Sequence, residues 1–532
     1  MTPGTTDKSR PKKAGEKRKD RAAEIANTFE WLITAFMLAF VFRAFVMEAF
    51  RIPTGSMADT LKGAHFQLAC PQCGYEYACN LGSELVPNHY VRIESGSRCP
   101  SCGYFLPRGT IRLAANGDRI LVLKCIYQFF EPKRWDVVVF KNPDEPGQNF
   151  IKRLVARPGE EIVIIDGDIY INGQIARKPP KIQQELWLPV YDNDYQPIRP
   201  ELGLFNDQKW KQPFQNTEGS KWVINANDPT IFELESDAYD IHVMYYDTTL
   251  GNDFGAMNCA YNPSGTYRGS SYCSDLMVRF YANFRKSEGV VGIDLSKYER
   301  HYKAQVDAAG NMTIAKSNNG AEWEELAEKK SQRTVLNKPT LVKFVIVDHQ
   351  LIFQCGDENL TYDLGLEPEA AGRVNDNVEP EVRIFGSGKK TLSHVAIFRD
   401  IYYTTPPQDT GEPSFASKDR PFKLEPNEYF VLGDNSPASH DSRRWSNMGV
   451  GINGKRVYRP GTVPHDYLVG KAVFVYWPSG YEFPWPQSLK TFLEKKSYQN
   501  RLSAIMYWAA TLRWIPNIGQ MRFIYGGTSK NS

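Results

Sequence analysis

Ser56 stands in the stretch FRIPTGSMADTL (Phe50–Leu61), directly behind an apolar run. A serine hydroxyl is almost wholly protonated near neutral pH, so it attacks an amide only with a base beside it. Of the 8 histidines, His65 and His89 fall in a cysteine-bearing loop, His349 and His394 in strand patterns, and only His440 occupies a polar turn. A lysine can serve where burial disfavours its charged form and pulls its pKa several units below about 10.4. Lys152, in NFIKRLVARPGE (Asn149–Glu160), sits in an apolar strand ahead of a Pro-Gly turn. Taken alone, such a lysine is more often an ordinary strand residue facing solvent.

The chain has 9 cysteines, and four of them form CPQC (Cys70, Cys73) and CPSCG (Cys99, Cys102), each knuckle followed by Gly and an aromatic. Four thiolates so spaced suit a tetrahedral zinc ion. Two disulfides are the competing reading in an oxidising compartment. The doubled form resembles zinc-ribbon and rubredoxin knuckles, which favours zinc; with no histidine or carboxylate in the set, the site would be structural. Cys259 and Cys273 are close enough in sequence for a disulfide, whereas Cys79, Cys125 and Cys355 have no evident partner.

The elements that must position these residues are mostly strands. At 532 residues the chain is long enough for about two to four domains. Its 28 Tyr, 29 Phe, 40 Gly and 34 Pro indicate a turn-rich β protein, and a net charge of +3 argues against a dedicated nucleic-acid binder. The charge is uneven: Lys and Arg crowd Met1–Arg21, a run that also reads as a plain solvated tail. Residues 29–47 follow with only Glu30 and Arg43 charged, close to the roughly 20 residues that cross a bilayer. The uninterrupted apolar part, Trp31–Phe42, is short enough for a signal-peptide core or a buried helix, but no small-x-small triplet follows it. A retained anchor is the favoured reading, with Arg43 snorkelling, the basic tail in the cytoplasm and the rest outside. Near the other end, Leu502–Gln520 reads as an amphipathic surface helix or a packed terminal one.

Between these ends, DRILVLK (Asp118–Lys124), DVVVF (Asp136–Phe140), EIVIIDGDIYINGQ (Glu161–Gln174) and KAVFVYW (Lys471–Trp477) are short strand patterns, with a hairpin turn at Asp166–Asp168. From about Arg177 to Pro421 the texture turns rich in Tyr, Asn and Asp, and the alternation of Leu341–Cys355 and Pro380–Thr404 indicates a two-sheet sandwich. This half resembles the concanavalin A-like, laminin-G-like jelly rolls.

The order of features is the most specific signal. An N-terminal anchor is followed by IPTGSM (Ile52–Met57), GDRILV (Gly117–Val122), DVVVF, FIKRLVARPGE (Phe150–Glu160) and VLGDNSPASHDSRRW (Val431–Trp445). This series resembles the boxes of the bacterial type I signal peptidases (leader peptidases). The resemblance implies that Ser56 is the nucleophile and Lys152 the general base. It implies that Thr54 and the Ser56 N–H form the oxyanion hole, that Met57 helps desolvate the lysine and that Ser439 orients it. Asp434, Asp441 and Arg443 would form a polar frame beneath. It further implies removal of signal peptides from exported preproteins after small-x-small sequences, at a bacterial inner membrane, with no cofactor for the chemistry. Ser436, Pro437 and Ala438 depart from the usual polar residues of the last box, and both the knuckles and the sandwich interrupt the series.

The expected fold is therefore mainly β: a catalytic β domain with an N-terminal transmembrane helix, a small zinc-ribbon insertion and an inserted jelly-roll sandwich. The expected division is a basic tail at 1–24, an anchor at 25–47 and the nucleophile segment at 48–69. Knuckles at 70–110, the base segment at 111–176 and the sandwich at 177–420 follow, then a closing segment at 421–490 and an amphipathic tail at 491–532. Expected partners are signal-peptide-bearing preproteins, the lipid bilayer and an envelope ligand of the sandwich, with no nucleic acid. One rival is a self-cleaving repressor-type Ser-Lys protease, which would carry a DNA-binding helix pair and no anchor. Another is an envelope-anchored binding protein with a lectin-like sandwich and degenerate peptidase boxes, in which an intact dyad would have no purpose.

Overall fold

The computed structural model describes residues 21–80, 90–92, 96–106, 109, 111–205, 208–224, 228–263, 271–318, 320–331, 336–405, 414–451, 454–479 and 517–527. The basic tail and most of Leu502–Gln520 lie outside them. Residues 1–48 and 49–532 form two compact units. The first holds α1 (Arg21–Val41), which continues as a π-helical turn over Phe42–Val46. Free of Gly and Pro, it exposes Trp31, Leu38 and Phe40. Its span Glu24–Val46 is long and apolar enough to cross a membrane; 23 residues at 1.5 Å each cover about 35 Å against a hydrocarbon core of about 30 Å.

In the second unit the central antiparallel sheet uses β1 (Arg119–Leu123), β2 (Val137–Lys141), β3 (Asn149–Ala156), β4 (Glu428–Leu432) and β5 (Leu468–Trp477) in the spatial order β1-β5-β2-β3-β4. Lys152 on β3 lies opposite Val138 on β2, and Arg153 opposite both Val137 and Leu432 of β4. One face packs Ile52, Met57, Leu61, Ile120, Val139 and Ile151; the other packs Phe140, Leu154, Tyr429, Val431 and Trp445. Cover on both faces is why DVVVF is a continuous apolar run and not an alternating one.

A second, four-stranded sheet is built on the hairpin Glu161–Ile165/Asp168–Ile171, turning at Asp166–Gly167, with Gln174–Ile175 and Phe422–Lys423 at its edges. Its core includes the helix residues Ile182 and Leu186 together with Ile401, Tyr403 and Phe415. These residues flank the insertion on both sides, so the sandwich strands themselves run only from Leu188 to Arg399.

The sandwich consists of two seven-stranded sheets around one core. Leu276–Phe284, Thr340–Val347, Gln350–Cys355 and Lys389–Arg399 belong to the first; His242–Tyr246, Val290–Lys297, Arg300–Asp307 and Val382–Gly386 belong to the second. In Leu276–Phe284, Val278, Phe280 and Ala282 face the core while Arg279 and Tyr281 face out. This is the alternation of a half-buried strand.

Where the sandwich meets the small sheet, carboxylate oxygens of Asp168, Asp275, Asp348 and Asp400 lie within 4.8 Å of one another, all buried. Two lysines occupy the cation positions. Lys297 pairs with Asp275 and lies 3.9 Å from Asp168; Lys178 pairs with Asp348 and lies 3.0 Å from Asp400. Burial pushes the Asp400 carboxyl up to about 6 and Asp168 well above the usual range. Two lysines against four carboxyls leave this seam short of positive charge, so losing one strands buried anions. Lys297→Met should therefore destabilise the sandwich by about 3–5 kcal/mol in urea denaturation. A loss below about 1 kcal/mol would show that the seam tolerates unpaired charge.

Candidate active site

β3 is covered on both faces from Ile151 onward, so the Lys152 side chain is largely withdrawn from water and only 4% exposed. Its Nζ donates to Ser56 Oγ at 2.7 Å and to Ile151 O at 3.1 Å. Ser56 itself is 8% exposed. Burial lowers the Lys152 ammonium to about 8; the Asp441 and Asp434 carboxylates oppose that shift, and Arg443 adds to it.

Hydrogen bonds fix the Gly55–Thr60 segment on the turn at Asp434 and Asn435. Asn435 N donates to Ser56 O at 3.0 Å, Asn435 Nδ2 donates to Gly55 O at 3.0 Å, and Thr60 Oγ1 donates to Asp434 Oδ2. Gly433 permits this approach: a Cβ there would lie 2.4 Å from Ser56 O and 2.2 Å from Ser439 Oγ. Met57, fully buried, packs in the cluster that holds Ile151. Thr54 is exposed in the same turn.

Two buried ion pairs frame Ser56 and Lys152. Arg443 grips Asp441 through Nε–Oδ1 at 2.8 Å and Nη2–Oδ2 at 2.7 Å, and Asp441 Oδ2 also accepts Gly433 N at 3.0 Å. Against the cost of burial, Arg443 holds the Asp441 carboxyl below its ordinary range. Arg153 grips Asp434 in the same way, at 2.8 and 2.7 Å. Bidentate geometry of this kind is the strong form of the pair. Arg153 was not singled out from the sequence; its only signal was its place next to Lys152. The expected orienting contact from Ser439 is not formed. Ser439 Oγ is buried beside the Asp441 carboxylate, which it helps hold low, and the lysine is held by Ile151 O and Ser56.

The sandwich insertion also reaches this site. Asn262 and Asn435 pair their side-chain amides reciprocally, each donating at 2.8 Å, so Asn262 fixes the group that holds Gly55 O. The Tyr261 ring lies against Gly55, where a Cβ would stand 2.1 Å from its Cε1, and Tyr261 Oη donates to Ala64 O at 3.3 Å. No spacing rule links residues this far apart in sequence.

The knuckle cysteines come together. Sγ atoms of Cys70, Cys73, Cys99 and Cys102 lie within 4.8 Å of one another, with Cys70–Cys102 at 3.7 Å and Cys73–Cys99 at 3.6 Å. Gly74 N donates to Cys70 O and Gly103 N to Cys99 O, and these turns point each thiol pair inward. The pairing considered for Cys259 and Cys273 is not formed: both are free thiols. Cys273 donates to Asp275 O and Asp400 O, while Cys259 packs beside Tyr261 in a different cluster, so proximity in sequence did not become proximity in space.

Residues 112–227 and 383–477 match the family model described as signal peptidase, peptidase S26. The matched segments contain Lys152, Arg153, Asp434, Ser439, Asp441 and Arg443, and they begin after Ser56. Signal peptidase I of Rickettsia canadensis (strain McKiel) is 30% identical over 148 residues, which is 27% of this chain and 42% of that protein. Signal peptidase I of Rickettsia prowazekii (strain Madrid E) is 30% identical over 138 residues, 25% of this chain and 39% of its own. The chain thus spans about two fifths of the length of these curated relatives. The likeness to signal peptidases is thus confined to these segments. Among solved structures, the carbohydrate binding module CBM66 from Bacillus subtilis is similar over 35% of this chain and 95% of its own, at 13% identity and a TM-score of 0.24, a likeness too loose to carry argument.

With selectively labelled lysine side chains, Lys152 should titrate near pH 8 by NMR, its resonance identified by loss in Lys152→Arg. Asp441→Asn removes a carboxylate that raises this value, so the midpoint should fall; a midpoint that stays near 10.5 in the intact chain rules out the buried, poised amine.

Proposed function

We propose that this chain is a membrane-anchored Ser-Lys endopeptidase that removes signal peptides from exported preproteins after small-x-small sequences. The observation that carries the reading is the buried 2.7 Å contact between Lys152 Nζ and Ser56 Oγ. Neutral Lys152 takes the Ser56 proton as Oγ attacks the scissile carbonyl, and then gives it to the leaving amine. The acyl-enzyme is hydrolysed by a water that the same amine activates. Thr54 Oγ1 and the Ser56 N–H receive the developing oxyanion, donors of a kind worth about 10²- to 10³-fold in rate. At pH 7 a lysine with a pKa of about 8 is about one-tenth neutral, against a few ten-thousandths near 10.5, so burial supplies roughly a 300-fold gain in base. Met57 contributes to that dryness. Arg153–Asp434 and Arg443–Asp441 are scaffold, and Asn262 is a positioning residue acting through Asn435.

α1 is the anchor in this reading, placing the basic tail in the cytoplasm and the second unit outside the inner membrane of a bacterium. The four knuckle thiols hold a structural zinc. Ligand arms of about 2.3 Å in a tetrahedron require sulfurs about 3.8 Å apart, close to the 3.6 and 3.7 Å observed. The ion would stabilise the fold and take no part in the reaction. An intact, buried dyad weighs against a pure binding module.

Incubated in detergent with a preprotein carrying an Ala-x-Ala site, the intact protein should release the mature chain, and Ser56→Ala and Lys152→Ala should each abolish the cut. The sign of the pH dependence follows from the base: deprotonation activates, so kcat/KM should rise through about pH 8 and level off above it. Asn262→Ala should lower kcat by about 10-fold or more with little change in KM, as expected for a displaced nucleophile. Cleavage that survives Lys152→Ala sinks the dyad. Elemental analysis should find one zinc per chain, lost with Cys99→Ser; a metal-free protein with no free knuckle thiols would identify disulfides instead.

A further inference from the structure

Between the Phe130–Trp135 segment and the outer face of the first sandwich sheet lies a cavity of about 1430 Å³. That exceeds the roughly 300–1,000 Å³ of ordinary small-molecule sites, so its size suits an oligomer. Its lining is mainly basic, with Glu131 and Asp348 as its acidic members. Arg134 and Arg157 line it but are paired to Glu160, Arg177 is paired to Asp363, and Lys178 to Asp348. Lys133, Arg279 and Lys343 also line it and make no close ion pair among the described residues, although Arg279 feels the Asp192 carboxylate across the strand of Ala396. Arg279 and Lys343 stand directly opposite each other on neighbouring strands. Like charges so placed destabilise a sheet, and burial together with Arg279 holds the Lys343 ammonium below its ordinary range. A fold that keeps two cations face to face in a cavity is arranged for an anion between them.

The neighbouring surface specifies more than charge. Trp187, Ile352 and Phe398 form a half-buried apolar platform, with the Arg279 guanidinium stacked 5.0 Å over the Phe398 ring. Gln350, Asn359 and Thr361 add amide and hydroxyl groups around it. A sugar ring presents an apolar face and a rim of hydroxyls, which matches platform and rim together. An extended peptide would instead seek free backbone partners at a sheet edge; only Asn359 and Thr361 of the lining stand on an edge strand, and the rest of this floor is the face of strands already paired to each other. We propose that the cavity binds an acidic oligosaccharide, its carboxylates or phosphates seated between Arg279 and Lys343 and its rings on Trp187, beside the Arg279–Phe398 stack. None of the residues proposed for catalysis lines the cavity, so this site stands or falls independently of the peptidase reading.

The test is calorimetric titration of the full chain in detergent with hexagalacturonate, a phosphorylated mannose oligomer, neutral maltohexaose and hexaglutamate. One or both acidic sugars should bind, more weakly as salt is raised, and which one does so identifies the anion. Arg279→Ala with Lys343→Ala should weaken binding at least about 10-fold while the melting temperature holds or rises, because the repulsion is relieved. If that double variant fails to fold, Arg279→Gln and Lys343→Gln are measured singly. The proposal is overturned if no acidic sugar binds, if maltohexaose or hexaglutamate binds as tightly, or if folded variants bind like the intact protein.

Discussion

A buried ammonium is tolerated only beside a carboxylate that is free to compensate it, and the two carboxylates nearest Lys152 are both engaged elsewhere. Arg443 occupies Asp441 and Arg153 occupies Asp434, each through two hydrogen bonds. The lysine is left with the field of neutralised pairs and the dryness of a strand covered on both faces, and burial therefore prevails in setting its basicity. The remaining contacts of the site serve this arrangement. Gly433 lets the last box approach Ser56, and the backbone of Asn435 fixes the distance.

That approach brings together three stretches remote in sequence, and the insertions brace it from outside. The loop bearing Tyr261 and Asn262 leaves the sandwich, is tied to Arg399 through Asn258 O, and closes on Gly55 and Asn435. The knuckle module joins the same junction through Asn80 N, which donates to Tyr261 O at 2.7 Å. The sandwich thus shares residues with the site itself, and its removal would leave Asn435 without its amide partner. At its base, the Lys178 and Lys297 network ties the sandwich to the small sheet, so the excursion from the catalytic sheet is anchored where it begins and ends.

The series of apolar runs, the DGD hairpin and the paired knuckles were legible because each depends on neighbours a few residues away. β3 is an instance: its apolar residues around Lys152 already marked a strand, although not that the lysine on it is buried. The two-sheet form of the insertion was legible from alternation, since a strand with one wet face must alternate. Ile182 and Tyr403 carry no local mark that they pack with the small sheet. Arg153 was passed over for a similar reason: an arginine in a strand acquires its role only when a carboxylate from residue 434 meets it.

The sequence by itself determined the membrane-length helix, the mainly β character, the candidates Ser56 and Lys152, and the four cysteines of one cluster. The helix, the β character and the cysteine set follow from composition and short-range patterns. The two candidates follow from the resemblance that the order of motifs bears to the type I signal peptidases, and all of this is read along the length of the chain. Tertiary structure decided which groups touch. It gave the lysine to Ile151 O and not to Ser439, left Cys259 and Cys273 apart, and brought Asn262 to Asn435. It also set Arg279 against Lys343 over a cavity. Contacts of this kind depend on strand register and loop closure between distant segments, and a shift of one residue in either would exchange every partner.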